Sequence, residues 1–384
     1  MIAKSIDVAI LGAGPVGCTL ALALERSGRT VALIERRAPG GVAPGVFRPI
    51  ALSDASRLII ERLGAWDALD TTPINAIHVS QAGAFGRTLL SAADARVPAL
   101  GHVIEYGALA AALEQQVLAR GIALLRGANI ESTAVLDDRV DLLIAVDGAS
   151  HHFNTRCLAH AEGSSAQAFE KRYGFDAVVG RVRVNRSMPG ARATAFERFT
   201  AEGPLALLPT GDDYGLVWSA RPERAAALLE MAPTEFVTEL AQAVGTRAGH
   251  FSSVEARGIF PLVLRRREAR IAPRQVFVGN AAQALHPVAG QGLNLGLRDA
   301  WDLANAWREA EDIGSAAVLE GYARARRFDA AGAIGITDFL ASAFLGHLPL
   351  ASTLRGLALG ALDLLPPARR FFARRMIFGA SAIP

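Results

Sequence analysis

Apolar residues in this chain fall into short runs whose period switches between strand and helix. Ser5 to Ile10 reads as a buried strand that runs into Leu11-Gly12-Ala13-Gly14-Pro15-Val16-Gly17, with an apolar helix following through Leu24. Val31 to Ile34 is a second strand, ending at Glu35. Residues 108 to 119 carry Leu109, Leu113 and Val117 at helical spacing, and Ile122 to Leu125 follows Gly121 as a strand. From about 176 to 220 short strands take over: Ala177 to Val179, Val182 to Val184, Thr194 to Thr200, Leu205 to Leu208 and Gly215 to Trp218, separated by Gly, Pro and Asp. After a helical stretch at 222 to 244, Gln275 to Gly279 is again a buried strand, leading through a glycine-rich loop into a helix over 292 to 309.

This pattern predicts an α/β chain: a discontinuous Rossmann-like nucleotide-binding domain, a β-rich substrate domain inserted into it, and a helical C-terminal tail. The expected boundaries are 1–75, 101–172 and 267–330 for the nucleotide-binding parts, 76–100 and 173–266 for the β-rich parts, and 331–384 for the tail.

With 384 residues, 51% hydrophobic and 20% charged, the chain has enough apolar content for a large core, which excludes disorder as its organising principle. Lys+Arg 40 against Asp+Glu 37, with only 7% aromatics, lacks the basic density and stacking surface of a nucleic-acid binder. Cys18 and Cys157 stand far apart without a Cys/His cluster, which argues against a metal site or disulfide framework and fits a reducing cytoplasm. Phe339 to Leu354 is uncharged but holds His347 and Pro349 and falls short of the roughly 20 residues of a spanning helix. A soluble or peripheral protein is expected.

Gly12, Gly14 and Gly17 after a strand, with Glu35 at the end of the next strand, have the spacing of a dinucleotide-binding turn. The three glycines serve a tight turn, backbone approach to a pyrophosphate, and helix-on-strand packing. The helix N-terminus would face the phosphates, and Glu35 would accept hydrogen bonds from a ribose diol; a glycine turn in some other α/β fold is the alternative. A second constellation runs from Gly279-Asn280-Ala281-Ala282 to Leu285-His286-Pro287-Val288-Ala289-Gly290-Gln291-Gly292-Leu293-Asn294. There a strand ends in a loop of small residues and a new helix begins, leaving exposed amides for a second electron-rich group; a tight helix entry with ordinary caps is the alternative.

Together with Arg48-Pro49-Ile50-Ala51-Leu52, Ala195 to Thr200 and Gly203 to Ala206, these motifs resemble in order the class A flavoprotein aromatic hydroxylases. The resemblance covers about residues 5 to 330 and points to their ubiquinone-biosynthesis branch, most closely to members acting on 2-polyprenyl-6-methoxyphenol. It implies a noncovalent FAD, with NADPH or NADH as co-substrate, and ring hydroxylation of a polyprenylated phenol by O2 through a flavin C4a-hydroperoxide. Gly12, Gly14, Gly17, Glu35 and Arg36 would bind the ADP half, and Arg48, Asn280, Gly290, Gly292, Leu293 and Asn294 the ribityl chain and isoalloxazine. Asn280 stands where most of the wider family has Asp. His286 and Pro287 would lie at the ring and substrate pocket as catalytic residues, a backbone-bonded loop histidine being the alternative for His286.

The family's middle motif, Asp-Gly-x-x-Ser-x-x-Arg, departs here to Glu162-Gly163-Ser164-Ser165-Ala166-Gln167-Ala168-Phe169, which bears on nicotinamide binding and hydride delivery. Rival readings are a flavin oxidoreductase without O2 chemistry and a noncatalytic FAD-containing subunit of a biosynthetic assembly. The tail concentrates Arg355, Arg369, Arg370, Arg374 and Arg375 against Asp338 and Asp363, which suits contact with anionic headgroups; packing on the FAD domain is the alternative.

Overall fold

The computed structural model describes residues 5–25, 27–38, 46–83, 85–163, 168–185, 193–200, 202–245, 247–285, 291–345, 356, 360–361 and 363–378. His286, Pro287, Gly290 and the 164–167 part of the middle motif lie outside them. Strand β1 (Ser5–Leu11), helix α1 (Pro15–Glu25) and β2 (Val31–Glu35) come first, then β3 (Pro49–Leu52), α2 (Asp54–Arg62) and β4 (Thr72–Ile74). The hairpin β5 (Ala76–Gln81) and β6 (Arg87–Ser91) leads through α3 (Ala92–Ala95) to β7 (Gly101–Glu105), α4 (Tyr106–Ala119) and β8 (Ala123–Arg126). An antiparallel run follows: β9 (Asn129–Val135), β10 (Val140–Val146) and β11 (Ala149–His160). The second half holds β12 (Ala168–Asn185), β13 (Thr194–Thr200), β14 (Gly203–Thr210), β15 (Asp213–Ala220), α5 (Pro222–Glu230), α6 (Pro233–Val244) and β16 (His250–Arg267). It ends with β17 (Ile271–Ala272), β18 (Gln275–Phe277), a 3-10 turn (Gly279–Ala281), β19 (Gln283–Ala284), α7 (Gln291–Trp307), α8 (Ala316–Leu345) and a C-terminal helix (Pro366–Phe378).

The first sheet has the order β17-β18-β11-β1-β2-β8, with β10 and β9 continuing from β11. Its centre is parallel: Val8 pairs with Val31 on one side and Cys157 on the other. Parallel strands must bury both faces. One face packs on α1, α4 and α7 through Val8, Ile10, Leu33, Leu20 and Leu297; the other, with Ile6, Leu11 and Ile34, is covered by Val140, Leu142 and Ile144. Helix α1 has no charge from Pro15 to Leu24, and burial of nearly its whole circumference is the reason. Cys18 and Cys157 are buried free thiols, each pushed up to about 12 by burial, which makes them inert.

The second sheet has the order β19-β16-β12-β15-β14-β13-β5-β6. One face is closed by α5 and α6, whose Leu228, Phe236 and Leu240 pack on Trp218, Leu216 and Val178. A third, three-stranded sheet, β3-β7-β4, joins the two.

Two local readings change. Ala177 to Val179 and Val182 to Val184 are not separate strands but parts of one 18-residue strand, β12, whose irregular pairing with β16 lets it continue past Gly180. Strand β16, equally long, has no clean alternation in sequence because it touches helices, sheet and solvent in turn. Helix α8 runs unbroken from Ala316 to Leu345, across the position 331 where the tail is expected to start. Part of the remaining tail docks on the second sheet's edge: a Cβ on Gly86 would lie 2.5 Å from Gly356, Arg369 pairs with Asp94 at 3.1 Å, and Ala373 is buried with Ile74, Leu90 and Ala95. Among the described residues no helix is long and apolar enough to cross a membrane.

Candidate active site

Between the first and second sheets lies a cavity of about 870 Å³. Its walls come from the turn after β1, the end of β2, the segment entering β3, the 3-10 turn, the start of α7, and the uncovered face of the second sheet.

The turn after β1 is shaped by its glycines. Gly12 has φ +97°, in the left-handed region, and a Cβ there would lie 3.0 Å from the backbone N of Glu162. At Gly17 a Cβ would fall 1.9 Å from the Gly12 carbonyl oxygen, so this glycine lets α1 sit on β1. Gly14 is different: only the Tyr106 hydroxyl comes within 4 Å of a Cβ built there, at 3.9 Å, and the residue faces the cavity. The first turn of α1 therefore opens its unpaired amides onto enclosed space, the arrangement an anionic pyrophosphate requires.

Glu35 follows at the end of β2 and is almost fully buried. Burial works against its charge, but hydrogen bonds from the Arg37 side chain, the Arg37 amide (2.9 Å) and the Ala13 amide (2.8 Å) prevail and hold the carboxyl at about 2. It is ionised, positioned, and on the cavity wall. Arg36 and Arg37 line the same end, both exposed.

Further along, Arg48 lies over the rings of Tyr106 (4.5 Å) and Phe260 (5.1 Å), joining the start of α4 to β16 of the second sheet by cation–π contact. Val16 is the hinge between the two glycine-rich segments: Cβ atoms on Gly279 and Gly296 would meet its side chain at 3.1 and 2.8 Å. That close approach brings the N-termini of α1 and α7 to one cavity, where Asn280, Gly292 and Leu293 also reach the wall. Gly292 has room around it, with no atom nearer than 3.9 Å to an added Cβ.

The loop is anchored from behind by Asp299, fully buried, which accepts from the Gly279 amide (3.3 Å), Gln283 Nε2 (2.7 Å), Arg326 Nε (2.8 Å) and Arg270. Arg326 also holds Asp302 and Asp329, and Asp329 pairs with Arg298. This network ties the 3-10 turn, α7 and α8 together.

Of the residues expected from sequence, Gly12, Gly14, Glu35, Arg36, Arg48, Asn280, Gly292 and Leu293 share this one cavity wall. Gly17 and Asn294 do not reach it. Asn294 is buried, its Oδ1 accepting from the Ser53 amide (2.8 Å) and its Nδ2 donating to the Ala51 carbonyl (2.9 Å), so its side chain fastens β3 and α2 to α7. From the altered middle motif, Glu162 and Gly163 border the cavity beside Gly12, whereas Phe169 is 60% exposed at the start of β12. Sequence reasoning missed Arg37, Tyr106, His160 and Glu197. Arg37 could have been found two positions after Glu35; the others arrive from separate elements. His160, stacked on Phe277 at 4.4 Å with Nε2 3.0 Å from Gln275 Oε1, is one of them.

The residues present thus fit a dinucleotide in extended form: a backbone cradle at Gly12 to Val16, an ionised acid at one end, and a second helix N-terminus at the other. The architecture is that of flavin-dependent monooxygenases. The crystal structure of p-nitrophenol 4-monooxygenase PnpA from Pseudomonas putida DLL-E4 superposes with a TM-score of 0.78 over 98% of this chain and 100% of that one, at 15% identity. HpxO of Klebsiella pneumoniae, complexed with FAD and uric acid, does so with 0.74 over 98% of each chain, at 16%.

Residues 5–335 match the FAD binding domain family, and the chain belongs to it. It is an FAD-dependent aromatic monooxygenase. Among its curated relatives, ubiquinone hydroxylase UbiL of Rhodospirillum rubrum is 32% identical, over 97% of this chain and 89% of that protein. The 3-demethoxyubiquinol 3-hydroxylase of Escherichia coli K12 is 30% identical, over 93% and 94%.

Proposed function

We propose that this hydroxylase, supplied with NAD(P)H and O2, adds a ring hydroxyl to a polyprenylated phenol on the way to ubiquinone, with a 2-polyprenyl-6-methoxyphenol as substrate. The observation that carries this reading is the continuity of one cavity from the polar glycine turn to a wall of Ile74, Ile77, Ala195, Leu205, Leu208 and Val217 on the second and third sheets. That apolar wall suits an aromatic ring with a hydrocarbon tail, and the full-length similarity to two ubiquinone-pathway hydroxylases supports it.

In this reading Gly12 and Gly14 let the backbone approach the pyrophosphate, Gly17 seats α1, and Glu35 with Arg36 holds the adenosine ribose. Arg48, Asn280, Gly292 and Leu293 border the ring system and Asn294 positions them; Gly290 is assigned to the cofactor, and His286 and Pro287 to catalysis, by the sequence motif alone. When bound, FAD would supply the redox chemistry that couples NAD(P)H oxidation to incorporation of one oxygen atom of O2 into the ring. The protein orients the phenol against it and keeps water out.

The deciding experiment incubates the FAD-loaded protein with NADPH, ¹⁸O₂ and a 2-polyprenyl-6-methoxyphenol. Incorporation of one labelled oxygen into the ring supports the proposal. NADPH oxidation that yields only hydrogen peroxide, or reduction of the substrate without oxygen, refutes it.

The same reading places the protein in the cytoplasm, touching the inner face of the membrane or a ubiquinone-biosynthesis assembly, because the substrate is lipid-borne. Leu364, Leu365 and Phe371 are 80%, 55% and 66% exposed around the C-terminal helix, beside the exposed Arg370 and Arg374. Apolar and basic side chains side by side suit an anionic lipid surface. Flotation with anionic liposomes should be lost in a Leu364→Ser, Phe371→Ser double variant and retained in the parent; equal flotation of both would remove this surface from the proposal.

A further inference from the structure

Among the described residues, Glu197 is the ionisable group on the substrate side of the cavity that the cofactor site does not use. It lies in the middle of β13, on the face of the second sheet that α5 and α6 leave uncovered, and lines the cavity with Ala195 and Ala206. Its partners in register are Val79 on β5 and Ala206 on β14, so neither adjacent strand offers it a charge. Arg198, next on its own strand, points to Ser80 Oγ (3.5 Å). His78 on β5 meets Phe196 and Arg247 instead. Across the cavity Arg48 is engaged with Tyr106 and Phe260, while Glu35, Arg36, Arg37, His160 and Glu162 belong to the cavity's other walls. Among the described residues the Glu197 carboxyl has neither a hydrogen bond nor an ion pair.

Glu197 is half-buried and its carboxyl opens onto the cavity, so a ring that displaces water there leaves the carboxyl in need of a partner. Burial alone pushes the Glu197 carboxyl up to about 7. A base of that strength is matched to proton transfer near neutral pH. The group also faces the space in which the substrate ring is proposed to lie.

We propose that Glu197 is the catalytic residue that receives the substrate's phenolic proton. This rests on the phenol-hydroxylase reading above. The phenol donates its O–H to the Glu197 carboxylate; as oxygen is transferred to the ring, the phenolic O–H bond breaks and a carboxyl O–H bond forms. The released electron pair moves into the ring and raises electron density at the positions ortho and para to the oxygen. When the hydroxylated carbon loses its hydrogen to solvent and the ring regains aromaticity, the carboxyl returns its proton to the product's oxygen, and Glu197 ends as it began.

The test compares binding of a short-chain 2-prenyl-6-methoxyphenol with that of its O-methyl ether, by perturbation of flavin absorbance in the oxidised, NADPH-free protein. An ionised Glu197 accepts from the phenol and can do nothing for the ether, so the phenol should bind at least about tenfold more tightly above pH 8. A protonated carboxyl donates to either oxygen, so the preference should fade as pH falls through about 7. In Glu197→Gln, whose neutral amide can accept from the phenol or donate to either oxygen at every pH, the preference should be smaller and independent of pH. Turnover should lose its rise through pH 7 and fall by roughly 10²-fold or more. The variant is isosteric and removes a strained charge, so its apoprotein should unfold at equal or higher denaturant concentration than the parent at pH 8. A parent protein with no pH-dependent preference for the phenol, or a Gln variant that keeps it, overturns the role of Glu197. A pH-dependent preference without any hydroxylated product overturns the reaction and leaves the proton acceptor standing.

Discussion

Gly14 and Gly17 belong to one turn, yet replacing each by Ala should break different things. At Gly17 the new Cβ would lie 1.9 Å from the Gly12 carbonyl oxygen and 3.1 Å from its carbon. An ordinary carbon–oxygen contact needs more than 1 Å beyond that, and the opposing atom is backbone at the end of β1, held by the Gly12 amide's bond to the Ile34 carbonyl at 2.8 Å. Relief requires sliding α1 along the sheet, where Cys18, Leu20, Leu22 and Leu24 are completely buried. Overpacking typically costs about 1–3 kcal/mol, and a backbone clash in a fully packed helix belongs at or above the top of that range. At Gly14 the same methyl meets only the Tyr106 hydroxyl at 3.9 Å, and no left-handed φ has to be maintained. The apoprotein should therefore change by no more than about 0.5 kcal/mol. The methyl instead occupies the space through which a phosphate would approach the α1 amides, so FAD affinity should fall by at least tenfold.

The assay is urea unfolding of both apoproteins followed by fluorescence titration with FAD. Gly17→Ala should lower the unfolding midpoint, whereas Gly14→Ala should keep it and lose only the stabilisation that excess FAD confers on the parent. A Gly14→Ala protein that binds FAD normally, or a Gly17→Ala apoprotein as stable as the parent, would refute the division of labour.

The Glu35 carboxyl, held at about 2 against an ordinary 4.5, contributes stability that is fully present above pH 4.5 and is lost as pH falls through 2. Allowing for its exposed Arg37 partner, this amounts to about 2 kcal/mol at neutral pH. Glu35→Gln should accordingly lose stability at pH 7 and show a shallower decline toward pH 3, and parallel pH profiles for variant and parent would contradict it. Asp299→Asn leaves Arg326 and Arg270 short of their counter-charge, so denaturant unfolding should register about 3–5 kcal/mol of destabilisation. Because Gly279 and Gln283 are anchored on the same carboxylate, FAD affinity should drop as well, and an unaffected affinity would mean the loop is held by other contacts. Arg48→Met keeps the packing stem but removes the cation over Tyr106 and Phe260. Its flavin spectrum should shift with little change in unfolding midpoint, and an identical spectrum would count against a place for Arg48 beside the ring.

The alternation of periods along the chain determined the kind of fold, because a buried parallel strand and an apolar helix around a glycine turn are local facts. Gly12, Gly14, Gly17 and Glu35 were legible for the same reason: their spacing is fixed by one turn and one strand. The late strand and the helix after it were equally readable, the helix expected from about 292 running from Gln291 to Trp307. Contact between distant segments was not. That Val16 is clasped by Gly279 and Gly296, that Asn294 faces Ser53 and Ala51 instead of the cavity, and that Asp299 anchors the loop through Arg326 depend on helix packing across hundreds of residues. The long strands β12 and β16 escaped because a strand passing between different environments shows no single alternation. Glu197 shows the limit most plainly. In sequence it is one polar residue in a half-buried strand, and only the bare face of the second sheet, with apolar neighbours in register on both sides, turns it into an isolated carboxyl on the cavity wall.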